Sequence, residues 1–453
     1  MSDSPARNNL DHFSALKRVV LDGAMRARSI EAVRAKAHLL ALDTLACVLS
    51  GRRAPQLQSL EKSYASTAPE SFRFPGGEGI SELGASAIAA SASAWDEACE
   101  GLPYAHGRPG LALMGALWPL AVRRNASVDQ LIDALIAGYE AGGRAGGWLR
   151  IRPGMHVDGN WPAIGVAAGV GLLLGLSPEQ RWSAVCAVAC QLPMSLYAPI
   201  RSGDNIRNLY PAHSAWLGLM AVDGALAGIG APESVFTEIA EQFALPDGRE
   251  APEDSRVLLM ESYFKPHAGV RHAHYGLEAA IQIRDELQGR TESISAIRLS
   301  VYDEAIRYAG NRNPQAPITG QFSLSLGVAA GLRFGEMSPE LFQTGLFHDA
   351  ELRRLEALVS IEPDAEAASS GIRAAELHVA SGQRSLHRRV TQIAGDPSRP
   401  PSSADIFGKF IRYSSKDVSA QAAARFCEEL TSESRKSTIG DAWHRLLRSS
   451  RTA

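Results

Sequence analysis

Three stretches of this chain concentrate side chains that can move protons or hold carboxylates. The first is residues 96–110, DEACEGLPYAHGRPG. Three carboxylates (Asp96, Glu97, Glu100) precede Tyr104, His106 and Arg108 in a turn rich in Gly and Pro. A histidine ten residues after an acid makes an orienter–base pair if the loop folds back, with Asp96 holding His106. The same composition also describes a solvated surface loop. The second stretch is RPGMHVDGNWPAIG, where His156 stands beside Asp158 just before a strongly apolar run. The start of such a helix offers free N–H groups and the positive end of a dipole, which suit a carboxylate ligand. His156 is therefore an acid/base candidate, or else a capping or core histidine. The third is residues 265–274, KPHAGVRHAH, which holds Lys265, Arg271, His272 and His274. Its His-x4-His-x-His spacing has no cysteine and matches no zinc signature. Cationic groups gathered around a polycarboxylate fit it better. No metal and no cofactor are expected.

The elements that must position these side chains follow from composition and pattern. The chain has 453 residues, enough for two domains. Lys+Arg is 46 and Asp+Glu is 49, a near balance that argues against a nucleic-acid binder. Apolar residues are 45% and charged residues 21%, which is globular composition with material for a large core. Abundant Ala and Gly predict closely packed helices. Five cysteines make no disulfide framework and point to a reducing, cytoplasmic setting. No secretory signal is expected, because residues 1–13 have no apolar run. The longest apolar stretch, residues 161–176, is too short for a bilayer and half Gly and Ala, so it reads as a core helix. Its glycines mimic a dinucleotide fingerprint but lack a preceding strand.

Up to about residue 260 the pattern is helical. Ser127-Val128-Asp129-Gln130 is a capping box opening a helix to about Gly143, and Ser177-Pro178-Glu179-Gln180 is another. Ser338-Pro339-Glu340 is a third helix start, and Cys186 and Cys190 share one helix face as core residues. Strand patterns begin later. Residues 293–302, SISAIRLSVY, alternate apolar and polar, and residues 375–379 and 385–390 flank a Gly-bearing turn as a hairpin. A polar, Pro-rich loop follows, then helix from about Ser403. The expected fold is mainly α: a large all-helical domain plus a smaller α+β lid domain. Residues 1–260 would form the helical core, 261–398 the lid, and 399–453 the helices that return to the core.

The same segments, in the same order, resemble the MmgE/PrpD family, which includes 2-methylcitrate dehydratase, cis-aconitate decarboxylase and iminodisuccinate epimerase. ALDTLACVLSG at 41–51 resembles the first long helix, AGYEAGGR at 137–144 the GYE…R stretch, and residues 155–175 the H-x-x-G helix segment. NLYPAHSAWLGLMAVDGALAGIG at 208–230 resembles the L-H-P-G helix, residues 264–279 the hinge bearing lysine and histidine, and QFSL at 321–324 the start of a lid helix. Residues 377–410 resemble the C-terminal signature. The resemblance implies a metal-free site between core and lid, usually in a homodimer. The chemistry it implies is at a carbon next to a carboxylate: loss of a proton or CO2, then loss of hydroxide or reprotonation.

Carried over residue by residue, the resemblance puts His106 and His156 in proton transfer, with Asp96 orienting His106. It makes Arg207, Lys265 and Arg271 carboxylate holders, with His272 and His274 contributing at the hinge. Tyr139 and Arg144 stand behind the site. The chain departs from the pattern at three places. H-P-x-G becomes His106-Gly107-Arg108-Pro109-Gly110, Arg207 stands where the family has a lysine, and Tyr210 replaces the histidine of L-H-P-G. Arginine stays protonated and does not serve readily as a base, but it clamps a carboxylate. The expectation is a dehydratase-like carbon–oxygen lyase for a small di- or tricarboxylate, with no nucleic-acid or membrane partner. The alternatives are an epimerase of a dicarboxylate, a cis-aconitate-type decarboxylase, and a ligand-binding member without turnover.

Overall fold

A computed structural model describes residues 5–243, 249–431 and 438–449. The molecule is mainly α, with a large helical part and a smaller α+β part; the described residues form 22 α-helices and one four-stranded sheet. No helix among them is long and apolar enough to cross a membrane.

The helical part is built around α1 (Glu31–Gly51), α2 (Glu82–Trp95), α3 (Pro109–Arg123), α4 (Val128–Trp148), α5 (Pro162–Leu173) and α6 (Tyr210–Leu226). α2 and α5 are buried along most of their length, so Ala and Gly let backbones approach where larger side chains would not fit. The α4–α5 contact shows this most directly. A Cβ on Gly138 would sit 2.7 Å from the carbonyl oxygen of Gly165, and one on Gly165 would sit 2.6 Å from that of Gly138.

Both predicted capping boxes are present, at Ser127/Gln130 and Ser177/Gln180. α4 runs to Trp148, past the predicted end at Gly143. Its later glycines do not stop the helix, because Gly146 and Gly147 pack against the rings of Trp161 and Tyr104, and burial outweighs their poor propensity. Ser338 opens only a short helix, Pro339–Gln343. Cys186 is buried as expected, but Cys190 is exposed, because helix Pro178–Ala189 ends just before it.

The α+β part holds α7 (Arg271–Glu286), β1 (Ile294–Val301), α8 (Leu324–Phe334), β2 (Val359–Pro363), β3 (Ala375–Ser381) and β4 (Arg384–Val390). The sheet order is β2-β1-β3-β4, with β1 parallel to β2 and antiparallel to β3. β1 and the β3–β4 hairpin fall where the alternation places them, and Gly382 takes φ +58 in the turn. β2 was not expected. It is an edge strand of five residues ending at Pro363, with only Val359 fully buried, so no alternation marks it. α7 packs on β3, β4 and α8.

After the Pro-rich loop, α9 (Ser403–Ser414) starts on a Ser402/Asp405 capping box and packs along α1. Its Lys409 makes a buried ion pair with Asp43 of α1 at 2.6 Å.

Candidate active site

The loop leaving α2 is pinned at two points. Gly101 and Tyr263 exchange backbone hydrogen bonds of 3.1 and 2.9 Å, and Leu102 bonds back to Gly107. The first pairing lays the loop beside the segment carrying Lys265. The second closes a tight turn that holds His106 at its tip with φ +52. His156 is pinned in the same way: its N–H donates to Ser195 O (2.8 Å), and the Ser195 hydroxyl donates to His156 O (2.6 Å). Segments distant in sequence thereby enclose a cleft of about 170 Å³. Pockets for drug-sized ligands run to about 300–1,000 Å³, so this one suits a metabolite of a few carbons.

Glu97 stands at the centre, itself at φ +52. Its Oε1 accepts from Lys265 Nζ at 2.8 Å, and its Oε2 accepts from Arg108 Nη1 at 2.7 Å and from Arg207 Nη2. Lys265 also donates to the Glu97 carbonyl at 2.8 Å. Arg108 reaches on to both oxygens of Asp158, whose carboxylate lies 3.8 Å from His156 Nδ1. On the far wall Arg271 pairs with Asp396 and lies over the Tyr263 ring at 4.2 Å, and Arg373 pairs with Glu304 at 2.8 Å. Four guanidiniums (Arg108, Arg207, Arg271, Arg373) thus line the cleft with three carboxylates (Glu97, Asp158, Glu304) and with Lys265, whose amine burial and the nearby Arg108 push well below the usual lysine range.

The surroundings of the three cleft histidines hold them neutral. His156 is lowered by burial, which outweighs the pull of Asp158. His272 falls to about 3, again by burial first, and its Nδ1 lies 2.7 Å from the Tyr302 hydroxyl. His106, although exposed at the tip of its turn, falls to about 4, by desolvation of its ring and then by the guanidiniums of Arg150 and Arg249. Both guanidiniums donate to its Nε2 at 3.0 Å, so the ring proton sits on Nδ1. Burial lowers Arg207 to about 9, still protonated at neutral pH.

Comparison with known proteins matches residues 23–244 to the MmgE/PrpD N-terminal domain and residues 267–432 to the MmgE/PrpD C-terminal domain. The chain belongs to the MmgE/PrpD family. A relative, the cis-aconitate decarboxylase-like protein oryM of Aspergillus oryzae, is 26% identical over 344 residues, covering 68% of this chain and 70% of that protein.

Of the residues singled out from sequence, this MmgE/PrpD chain brings His106, His156, Arg207, Lys265, Arg271 and His272 around one cleft. Two others, Asp96 and His274, are corrected. Asp96 does not orient His106. It turns away from the cleft and accepts from Ser50 Oγ (2.7 Å) and from Gln343 Nε2 (2.8 Å), and burial raises it to about 6. The acid facing the cleft is its neighbour Glu97. His274 bonds the Ala268 carbonyl at 3.1 Å and does not line the cleft. It follows His272 by two residues, about 200° around the helix, so the two face opposite ways. Tyr139 and Arg144 lie behind the cleft and cannot touch a substrate there. Tyr139 donates to Glu100 at 2.8 Å, and Arg144 pairs with Glu140 and donates to Arg256 O at 3.1 Å.

Glu97, Arg108, Asp158, Glu304, Phe322 and Arg373 also line it. Glu97, Arg108 and Asp158 lie within stretches rich in such groups. Nothing in the local sequence marks Glu304 or Arg373.

Proposed function

We propose that this MmgE/PrpD protein is a lyase acting on a small di- or tricarboxylate, removing a proton from the carbon next to a carboxylate and expelling hydroxide. The observation that carries the reading is the excess of cations over carboxylates around neutral histidines in a cleft of about 170 Å³. Guanidinium groups fixed on the walls hold the substrate carboxylates bidentately and neutralise charge as it builds on one of them.

His156 is the proton carrier. Its Nδ1 accepts from the Asp158 N–H at 3.3 Å, which leaves the ring proton on Nε2; the Asp158 carboxylate, 3.8 Å from Nδ1, is the group toward which Nδ1 shifts when it takes up that proton and frees Nε2. With the proton on Nδ1, Nε2 is the base. The C–H pair becomes the new C=C bond, the C–O pair leaves with hydroxide, and the captured proton completes water. His106 is held neutral with Nε2 occupied, so it serves as a hydrogen-bond donor to a substrate oxygen rather than as a second base. One base favours elimination over epimerisation, which needs a base on each face. Arg207 in place of lysine leaves the proton work to imidazole. The reading includes a homodimer and a closing lid over residues 261–398, with no cofactor, nucleic acid or membrane required.

A second reading is decarboxylation, favoured by the similarity to the cis-aconitate decarboxylase-like protein oryM of Aspergillus oryzae. Proton NMR in D2O with citrate, 2-methylcitrate, cis-aconitate, malate, tartrate and aminodicarboxylates separates the two. Loss of water from one acid supports the first reading, and loss of CO2 the second. Deuterium wash-in without elimination overturns both in favour of an epimerase. His156→Ala is expected to lower kcat by about 10²–10⁴ with unchanged circular dichroism. A near-normal rate would remove His156 from the mechanism.

A further inference from the structure

Away from the cleft, the outer face of the β3–β4 hairpin gathers a second cluster that the proposed chemistry does not use. Along β3 the buried residues Leu377 and Val379 alternate with half-buried Glu376 and His378, so the latter two share the outer face. His387 on β4 is the direct cross-strand partner of His378. Glu376 Oε1 lies 2.7 Å from His387 Nε2 and 3.2 Å from His378 Nε2, and the two rings lie 28° apart with centroids at 4.4 Å. One nitrogen from each imidazole and one carboxylate oxygen all fall within 4.8 Å of one another.

We propose that Glu376, His378 and His387 form a site for a borderline divalent transition ion such as Zn2+, bound through the Nε2 atoms of both histidines and Oε1 of the glutamate. A tetrahedral ion with bonds of about 2.0–2.1 Å places its ligand atoms roughly 3.3 Å apart, against 2.7 and 3.2 Å from Glu376 Oε1 to the two Nε2 atoms. Two imidazoles and one carboxylate exclude Ca2+ and Mg2+, which take oxygen shells, and leave a further position for water. The carboxylate is already aimed. Its Oε2 accepts from Arg389 Nη1 at 3.3 Å, while Arg389 is drawn the other way by Asp364 at 2.9 Å. Carboxylates that ligate metals are commonly held by such an outer partner. Arg298, opposite His378 on β1, lies 3.7 Å from Glu362. Without an ion, both rings must carry their proton on Nε2 to satisfy one oxygen. An ion satisfies all three ligands at once.

The cluster joins two strands at the edge of the sheet, so an ion there pins the hairpin. The test uses tag-free full-length protein, stripped with chelator and titrated with Zn2+ by calorimetry and with Co2+ by visible absorption. One equivalent is expected, with a tetrahedral or five-coordinate Co2+ spectrum and a raised thermal midpoint on adding Zn2+. His378→Ala and His387→Ala should each weaken binding by about tenfold or more, and Glu376→Gln should also weaken it. His213→Ala, at an exposed position elsewhere, should leave it unchanged. All four side chains are at least partly exposed, so the variants are expected to fold. No saturable first equivalent in the unaltered protein overturns the proposal. So does binding that survives in the His378→Ala/His387→Ala double variant.

Discussion

One carboxylate organises the cleft. Glu97 meets Lys265, Arg108 and Arg207, and without it three buried basic groups would face one another. Its left-handed backbone is unusual for a residue with a side chain, and such strain concentrates where geometry matters more than stability. Glu100, three residues on, has the opposite character. It accepts from Tyr139 and the Gly110 N–H, and burial raises it from 4.5 to about 7. The folded state therefore binds its proton more tightly than the unfolded chain. The stability this supplies is full below about pH 4.5 and is lost as pH rises through 7, on the order of 3 kcal/mol in all. Glu100→Gln, neutral at every pH, should lack this loss. Urea midpoints at pH 5 and pH 8 should fall less for the variant than for the parent. Equal falls would mean that Glu100 titrates normally.

At the scale of elements, α9 acts on the cleft from behind. Lys409 pairs with Asp43 on α1 and also donates to the carbonyls of Ala98 (2.8 Å) and Lys265 (2.9 Å). One ammonium thus ties the last part of the chain to both segments that form the Glu97–Lys265 contact. Lys409→Met strands Asp43 as a buried charge and should cost about 3–5 kcal/mol. Asp43→Leu/Lys409→Met removes both charges and should recover most of that stability. It does not restore the bonds to the two carbonyls, so kcat should stay low while KM changes less. Recovery of stability and kcat together would make the pair structural only.

For the whole molecule, the formal charge is −3 while the cleft lining is cationic. A dianionic substrate of the kind proposed would be drawn to the cleft and not to the surface at large. Attraction of this kind is screened beyond about 8–10 Å at ordinary ionic strength. kcat/KM for a dicarboxylate should therefore fall several-fold between about 10 mM and 0.3 M salt, with kcat changing little. A salt-independent kcat/KM would place the cleft charges as structural pairs with no part in capture.

Much of this was legible in the chain by itself, and the limit has a physical cause. Capping boxes, the β1 alternation, the hairpin turn and the start of α9 are local, decided by hydrogen bonds and burial within a few residues. The three histidine-bearing stretches were also legible, because their side-chain types are concentrated in short segments. Tertiary structure decided which of those side chains meet. Glu97 rather than Asp96 faces the cleft because the backbone turns through a left-handed residue. His274 is lost to the site by the rotation of one helix. Glu304 and Arg373 join it, and Glu376 finds His387, only because strands and loops far apart in sequence are folded side by side.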